Sequence, residues 1–276
     1  MSKKKAIRLL GDVFGLFFVV LIYIIPFAYM ILNSLKDRKE ANLLEFSLPS
    51  VVHLGNYLTV FTANNYELIR AFKNSALLTV FSVSMLILTC SMSGYVIQRR
   101  RDRKTGMINN LIMTGMMIPA AVMPTIWLLK FLHIYKTLFS LVMIEVALQT
   151  PFTTMLYRGF VGSIPSELEE AGIIDGCTRR KLFTAIVFPL LKPVTSTVII
   201  LNAVTIFNDF TNPLYFLPGS ENTTVQLTLY NYIGQYSSSY NLLFANIILI
   251  TLPMLILFLF FNKKIVSGMV AGSVKG

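Results

Sequence analysis

The sequence predicts an all-α polytopic membrane protein with six transmembrane helices and both termini in the cytoplasm. Three observations lead there. Hydrophobic residues make up 55% of the 276 and charged residues 13%, with a mean hydropathy of +0.67, whereas a soluble domain carries about 25% charge. Six apolar runs, near 9–32, 74–98, 107–131, 138–158, 184–209 and 241–262, approach the roughly 20 helical residues needed to cross a hydrocarbon core of about 30 Å. The basic residues then alternate in density between the connecting segments. Lys3, Lys4, Lys5 and Arg8 precede the first run, Arg99, Arg100, Arg101, Arg103 and Lys104 follow the second, and Arg158, Arg179, Arg180, Lys181 and Lys192 cluster around the fourth and fifth. With Lys263, Lys264 and Lys275 they are most of the 24 Lys and Arg, all on one side if the N-terminus is cytoplasmic. The net charge of +11 therefore reads as an orientation signal; RRRDRK at 99–104 is read the same way, and not as a nucleic-acid patch.

Taken in order, the first run follows a basic start, as in a signal peptide, but is too long and lacks a small-residue cleavage pattern, so it is expected to stay as a span. Asn33, Ser34 and Lys36 leave it on the outside, and SLPSVVHLGNYLTVF, with Pro49, Gly55, Tyr57 and Phe61, reads as an ordered excursion. The string NNYELIRAFKNS predicts a short amphipathic helix resting Leu68, Ala71 and Phe72 at the interface. In the third run Pro119 and Pro124, within GMMIPAAVMP, predict a bent helix. Glu145 is the one acid well inside a run, and Gln149 lies one turn on along the same face. An acid at mid-bilayer costs about 3 kcal/mol on insertion scales, so Glu145 needs a partner or a cavity. The fifth run closes on FNDFTNPLYFL, where Asn202, Phe207, Asn208 and Asp209 place amides and a carboxylate beside aromatics. Such a set suits sugar hydroxyls and flat sugar faces, and equally the capping of a helix end at the membrane interface. The loop 218–240 has no basic residue and is rich in Ser, Asn and Tyr.

Cys90 and Cys177 fall in a span and a cytoplasmic loop, so no disulfide is expected. His53 and His133 stand alone, and no metal-ligand cluster occurs. There is no G-x-x-x-x-G-K-[ST] phosphate loop, nucleophile elbow or catalytic dyad. An enzyme is not expected.

The longest water-compatible stretch inside this sequence is ELEEAGIIDGCTRRKLFTAIVFPLLKP, Glu167 to Pro193. Acids come first, at Glu167, Glu169, Glu170 and Asp175, then Arg179, Arg180 and Lys181, with helical apolar spacing through Leu168, Ala171 and Ile174. Gly176 sits where one short helix stops and another begins, and Pro189 and Pro193 break the return into the membrane. A helix–turn–helix on a membrane face, offering one side to a soluble partner, is the expectation. The pattern E-A-G-x-x-D-G-C followed by I-x-x-P-L-x-x-P resembles the EAA loop of the permease subunits of ABC importers, with Gly172 and Cys177 where the family usually has alanine. Asn56-Tyr57 after a proline, the FNDFTNPL string (Phe207 in place of the usual tryptophan) and a tail ending in VKG with Asn262 for glutamine resemble the maltose-type carbohydrate group, raffinose or multiple-sugar permeases above all.

That resemblance implies a type I ABC importer transmembrane domain over 74–264, preceded by an N-terminal tail, first helix and external segment in 1–73 and followed by a cytoplasmic tail in 265–276. It implies a coupling loop over 164–193, with Glu167, Glu169, Glu170, Ala171, Gly172, Asp175, Gly176, Cys177 and Arg179 meeting the ATPase. It implies Glu145, Gln149, Asn202, Phe207, Asn208 and Asp209 as candidates for the substrate pathway. The expected partners are a second homologous permease, two copies of an ATPase subunit that use ATP and Mg, an extracellular solute-binding protein and a sugar, in a bacterial plasma membrane. No cofactor is expected on this chain and no nucleic acid. A secondary transporter, or a permease for another small polar solute, is the alternative; it would use an intramembrane acid such as Glu145 but would not need the acidic-then-basic loop.

Overall fold

The computed structural model describes residues 12–219, 221–234 and 237–273. Lys3, Lys4, Lys5, Arg8 and Lys275, counted above for orientation, lie outside them. Among the described residues all regular structure is helical. Three long helices are apolar enough to span without a break in the chain direction: α1 (Asp12–Ser34), α6 (Leu138–Val161) and the apolar part of α11 (Tyr240–Ser273). A fourth, α3 (Gly55–Arg99), is 45 residues long but loses helical geometry at Ala63–Tyr66, where Asn64, Asn65 and Tyr66 adopt positive φ. Between these lie α2 (Arg38–Asn42), α4 (Arg103–Thr114), α5 (Val122–Phe131), α7 (Glu167–Ile174), α8 (Arg179–Leu190), α9 (Lys192–Phe207) and α10 (Thr211–Phe216).

Two expected spans are reshaped, in both cases by proline. The third run is two helices, α4 and α5, separated by residues 115–121, which include Pro119. Pro124 falls in the first turn of α5, where a missing N–H costs no helical hydrogen bond. The fifth is the pair α8 and α9, bent by 72° at Leu191, with Pro189 and Pro193 on either side. Each proline removes a donor and crowds the preceding turn. In α1, Pro26 follows a widened π turn at Val20–Ile24, the same chemistry on a smaller scale. NNYELIRAFKNS is not a separate interfacial helix. After the break at Ala63–Tyr66 it runs straight into the apolar part of α3, and Leu68 and Ala71 are buried in protein. The expected C-terminal tail continues as helix through Ser273.

By packing, the chain divides into two compact units, one comprising the chain up to Ile69 with Leu227–Pro253, the other Arg70–Gln226 and the chain from Met254. In the first unit the end of α1 is tied to the segment that follows it through polar groups. Lys36 is fully buried, and its Nζ donates to Asn33 Oδ1 (3.2 Å), the Glu45 carbonyl (2.8 Å) and Ser47 Oγ (3.0 Å). Asn56 Nδ2 donates to the carbonyls of Ser34 and Lys36, both at 2.8 Å, and Tyr57 Oη lies 2.7 Å from Ser34 Oγ. The Asn-Tyr pair therefore ties down the C-terminal end of the first helix.

The second unit holds the large apolar core, built from α3, α5, α6, α8, α9 and α10. In it α3 crosses α6 at close range. A Cβ on Gly94 would sit 2.7 Å from Tyr157 Cβ, 2.9 Å from Arg158 N and 3.1 Å from the Thr154 carbonyl. Cys90, one turn earlier, is fully buried and close to the Thr150 carbonyl. Small residues four apart let two backbones approach, which is how helices gain contact in lipid.

Candidate functional site

The charged stretch after α6 forms a knob held by three local devices. Glu167, Glu169 and Glu170 occupy the first turn of α7, where the helix dipole favours negative charge. The helix stops at Gly176, with φ +76°: Gly176 N donates to the Ile173 carbonyl (3.0 Å) and Cys177 N to the Gly172 carbonyl (2.9 Å). That paired closure requires a left-handed residue, which glycine supplies cheaply. Thr178 then caps α8 by accepting from Lys181 N.

Glu169, grouped in the sequence with the outward-facing loop residues, points inward. It is 8% exposed. Arg99 Nε and Nη2 both lie 2.7 Å from its Oε1, Tyr95 Oη donates to Oε2 at 2.8 Å, and Arg99 Nη2 also donates to the Ile164 carbonyl at 2.8 Å. This is the one ion pair among the described residues. Gly172 faces the same way: a Cβ there would meet Ile186 Cδ1 at 2.5 Å and Leu182 Cδ1 at 2.9 Å. So α7 is clamped to the end of α3 by charge and seated on α8 by the absence of a side chain. Arg99 and Tyr95 went unrecognised in the sequence, since Arg99 opens the basic run read for orientation; their i, i+4 spacing on one helix face is the signal that points to a shared partner.

The opposite face of the knob is open. Ile174 is 86% exposed, Ile173 61% and Leu168 45%, and they are ringed by exposed Glu167, Glu170, Asp175, Arg179 and Arg180. Ala171 and Gly176 are exposed and Cys177 is half-buried. The ring of charge keeps this apolar tip out of the hydrocarbon, so a lipid tail does not cover it.

The pathway candidates sort into two groups. Glu145 is 1% exposed and accepts from Asn212 Nδ2 at 3.0 Å, with its carboxyl facing that of Asp209. Asn202 is 2% exposed, bonded to Thr153 Oγ1 and to the Val198 carbonyl one turn back, and Phe207 is core at 5%. These three side chains are buried within the unit. Asn208 is exposed and accepts from Gln226 Nε2 at 3.1 Å; Asp209 is half-buried and caps α10, accepting from Thr211 N and Asn212 N; Gln149 is half-buried.

A helical membrane chain with broken spans, carrying a clamped charged knob on a connection between them, has the build of a transporter's membrane subunit. Residues 87–270 match the family model of the binding-protein-dependent transport system inner membrane component, and the chain belongs to that family. It is therefore a multi-pass plasma-membrane permease subunit, without catalytic activity. It is 31% identical over 257 residues to the probable starch degradation products transport system permease protein AmyC of Thermoanaerobacterium thermosulfurigenes, covering 92% of this chain and 93% of that one. Identity is also 31% to the melibiose/raffinose/stachyose import permease protein MelC of Bacillus subtilis (strain 168), over 92% of each chain. The fold is that of a chain from the crystal structure of a bacterial ABC transporter involved in the import of the acidic polysaccharide alginate (TM-score 0.81, 20% identity, 95% of this chain and 98% of that one).

Proposed function

We propose that this chain is one of two homologous permeases of an ATP-driven importer of oligosaccharides, working by alternating access with both its termini in the cytoplasm and six membrane crossings. The broken α4–α5 pair would form the third crossing and the bent α8–α9 pair the fifth. The observation that carries the reading is the knob: an exposed apolar tip, Leu168, Ile173 and Ile174, on a helix held rigidly from behind by Glu169–Arg99. A surface cleft of an ATPase subunit covers that tip. Glu170, whose carboxylate has no partner among the described residues, sets the register against a basic residue there. A rim ion pair contributes only about 0–1 kcal/mol, so shape and apolar burial supply most of the docking. When the ATPase dimer closes, the knob moves with it, and the clamp passes that movement to α3 and α6.

The oligosaccharide assignment rests on relatives named for starch degradation products and for melibiose, raffinose and stachyose, and on a structural neighbour solved with an alginate pentasaccharide-bound periplasmic protein. A solute-binding protein delivers the sugar on the outer side. Asn208, Asp209 and Gln149 are the candidates that reach the route, with Glu145, Asn202 and Phe207 supporting them from inside. The test is co-expression with the ATPase and the second permease. Ile174→Asp should leave the chain inserted and abolish both ATPase co-purification and sugar uptake. Uptake by this chain alone, or full association of the Ile174→Asp variant, would overturn the reading.

A further inference from the structure

The basic run after α3 does more than orient the chain. Arg100 and Arg101, Gln98 at the end of α3, Thr105 and Asn109 on α4 and Arg158 on α6 line one cavity of about 360 Å³ in the second unit. That is within the range of small-ligand sites, roughly 300–1,000 Å³. Arg158 is half-buried and held in place. Its Nη1 donates to Asn109 Oδ1 at 2.8 Å and its Nε to Gln98 Oε1 at 3.4 Å. Gln98 is itself seated against Gly162, where a Cβ would lie 3.0 Å from Gln98 Nε2. Both partners of Arg158 are neutral amides, so its charge is oriented but not compensated. Arg100 and Arg101 make no side-chain hydrogen bond among the described residues. The carboxylate in the lining, Asp102, is taken by Thr105, accepting from its N at 2.8 Å, and that hydrogen bonding holds the acid below its ordinary range. Asp102 also attracts Arg100 electrostatically, but one carboxylate among three guanidiniums leaves the lining with an excess of positive charge. An orientation signal needs only charge on the correct side of the membrane. It does not need an arginine from another helix, braced by two amides, to converge on the same space.

We propose that this cavity binds a phosphate ester, with Arg158 as the fixed donor and Arg100 and Arg101 closing over it. Guanidinium matches phosphate oxygens in a two-pronged geometry and is the side chain suited to that role. The volume accommodates the phosphate together with its ester substituent. Two sources carry this chemistry, the headgroup of an anionic phospholipid in the surrounding leaflet and a free sugar or glycerol phosphate in solution.

The experiment uses the assembled importer in phosphatidylcholine nanodiscs, with phosphatidylglycerol added in one arm and glycerol 3-phosphate in the other, read by native mass spectrometry and titration. Saturable retention of phosphatidylglycerol assigns the site to a headgroup, and binding of glycerol 3-phosphate without it assigns the site to a soluble ester. In either arm Arg101→Gln and Arg158→Gln should each weaken binding by about tenfold or more, as loss of a charge-assisted hydrogen bond implies. Lys104→Gln, in the same basic run but not lining the cavity, should leave it unchanged. Arg101 is exposed, so its variant carries the test should Arg158→Gln fail to fold. The proposal is overturned if neither probe binds, if all three variants bind like the wild type, or if binding emerges only after the ATPase is removed, since Arg101 would then be an ATPase contact.

Discussion

Replacing Arg99 with alanine removes both donors from Glu169 Oε1 and the donor to the Ile164 carbonyl, leaving a carboxylate that is 8% exposed with Tyr95 alone. Breaking a fully buried pair costs about 3–5 kcal/mol. Here the two side chains are 23% and 11% exposed and the tyrosine remains, so the lower figure is discounted to about 2 kcal/mol. That cost falls on the docking of α7, not on membrane insertion, because no apolar span is altered. A local opening made easier by about 2 kcal/mol corresponds to roughly thirtyfold faster exchange. Hydrogen exchange of the purified importer should therefore show Glu167–Ile174 exchanging about thirtyfold faster in Arg99→Ala, with α6 amides unchanged. ATP hydrolysis should persist while uptake per ATP falls. Arg99→Lys should recover only part of the protection, since an ammonium cannot offer two parallel donors. Exchange within about threefold of the wild type in α7 would refute the idea that this pair makes the knob rigid.

Gly94→Ala, which drives a methyl against the α6 backbone, should lower the thermal midpoint by the equivalent of about 1–3 kcal/mol, whereas Gly172→Ala meets only the tips of Ile186 and Leu182 and should cost clearly less in the same melt. Gly176→Pro cannot adopt a φ of +76° and loses the donor to the Ile173 carbonyl; it should leave the chain in the membrane and abolish uptake in vesicles. Lys36→Met strands the Glu45 carbonyl and Ser47 Oγ without their donor and should destabilise the first unit by about 1–3 kcal/mol in denaturant titration.

The membrane class, the all-helical content and the loop's family were legible because they depend on local features: run length, proline position, and a Gly176 that only a helix stop explains. What escaped was direction. Acid spacing in ELEEAG placed Glu169 beside Glu167 and Glu170, and nothing local says that one of the three turns inward. The decision comes from Arg99 and Tyr95, some seventy residues earlier. Likewise nothing local in the sequence tells that Asn202 donates its amide to Thr153 on another helix.

By itself, then, the sequence determined what each segment would dissolve in and where the chain must turn, because hydrophobicity, proline and glycine act over a few residues. It also determined that the knob would bear an apolar stripe and flanking charge. Only the tertiary structure decided which side of that knob is a clamp and which is an open face, and that Arg158 joins Arg100 and Arg101 around one cavity. Those outcomes depend on pairings between residues distant in the chain. In a low-dielectric interior each buried charge or amide must take whichever partner the packing brings within reach.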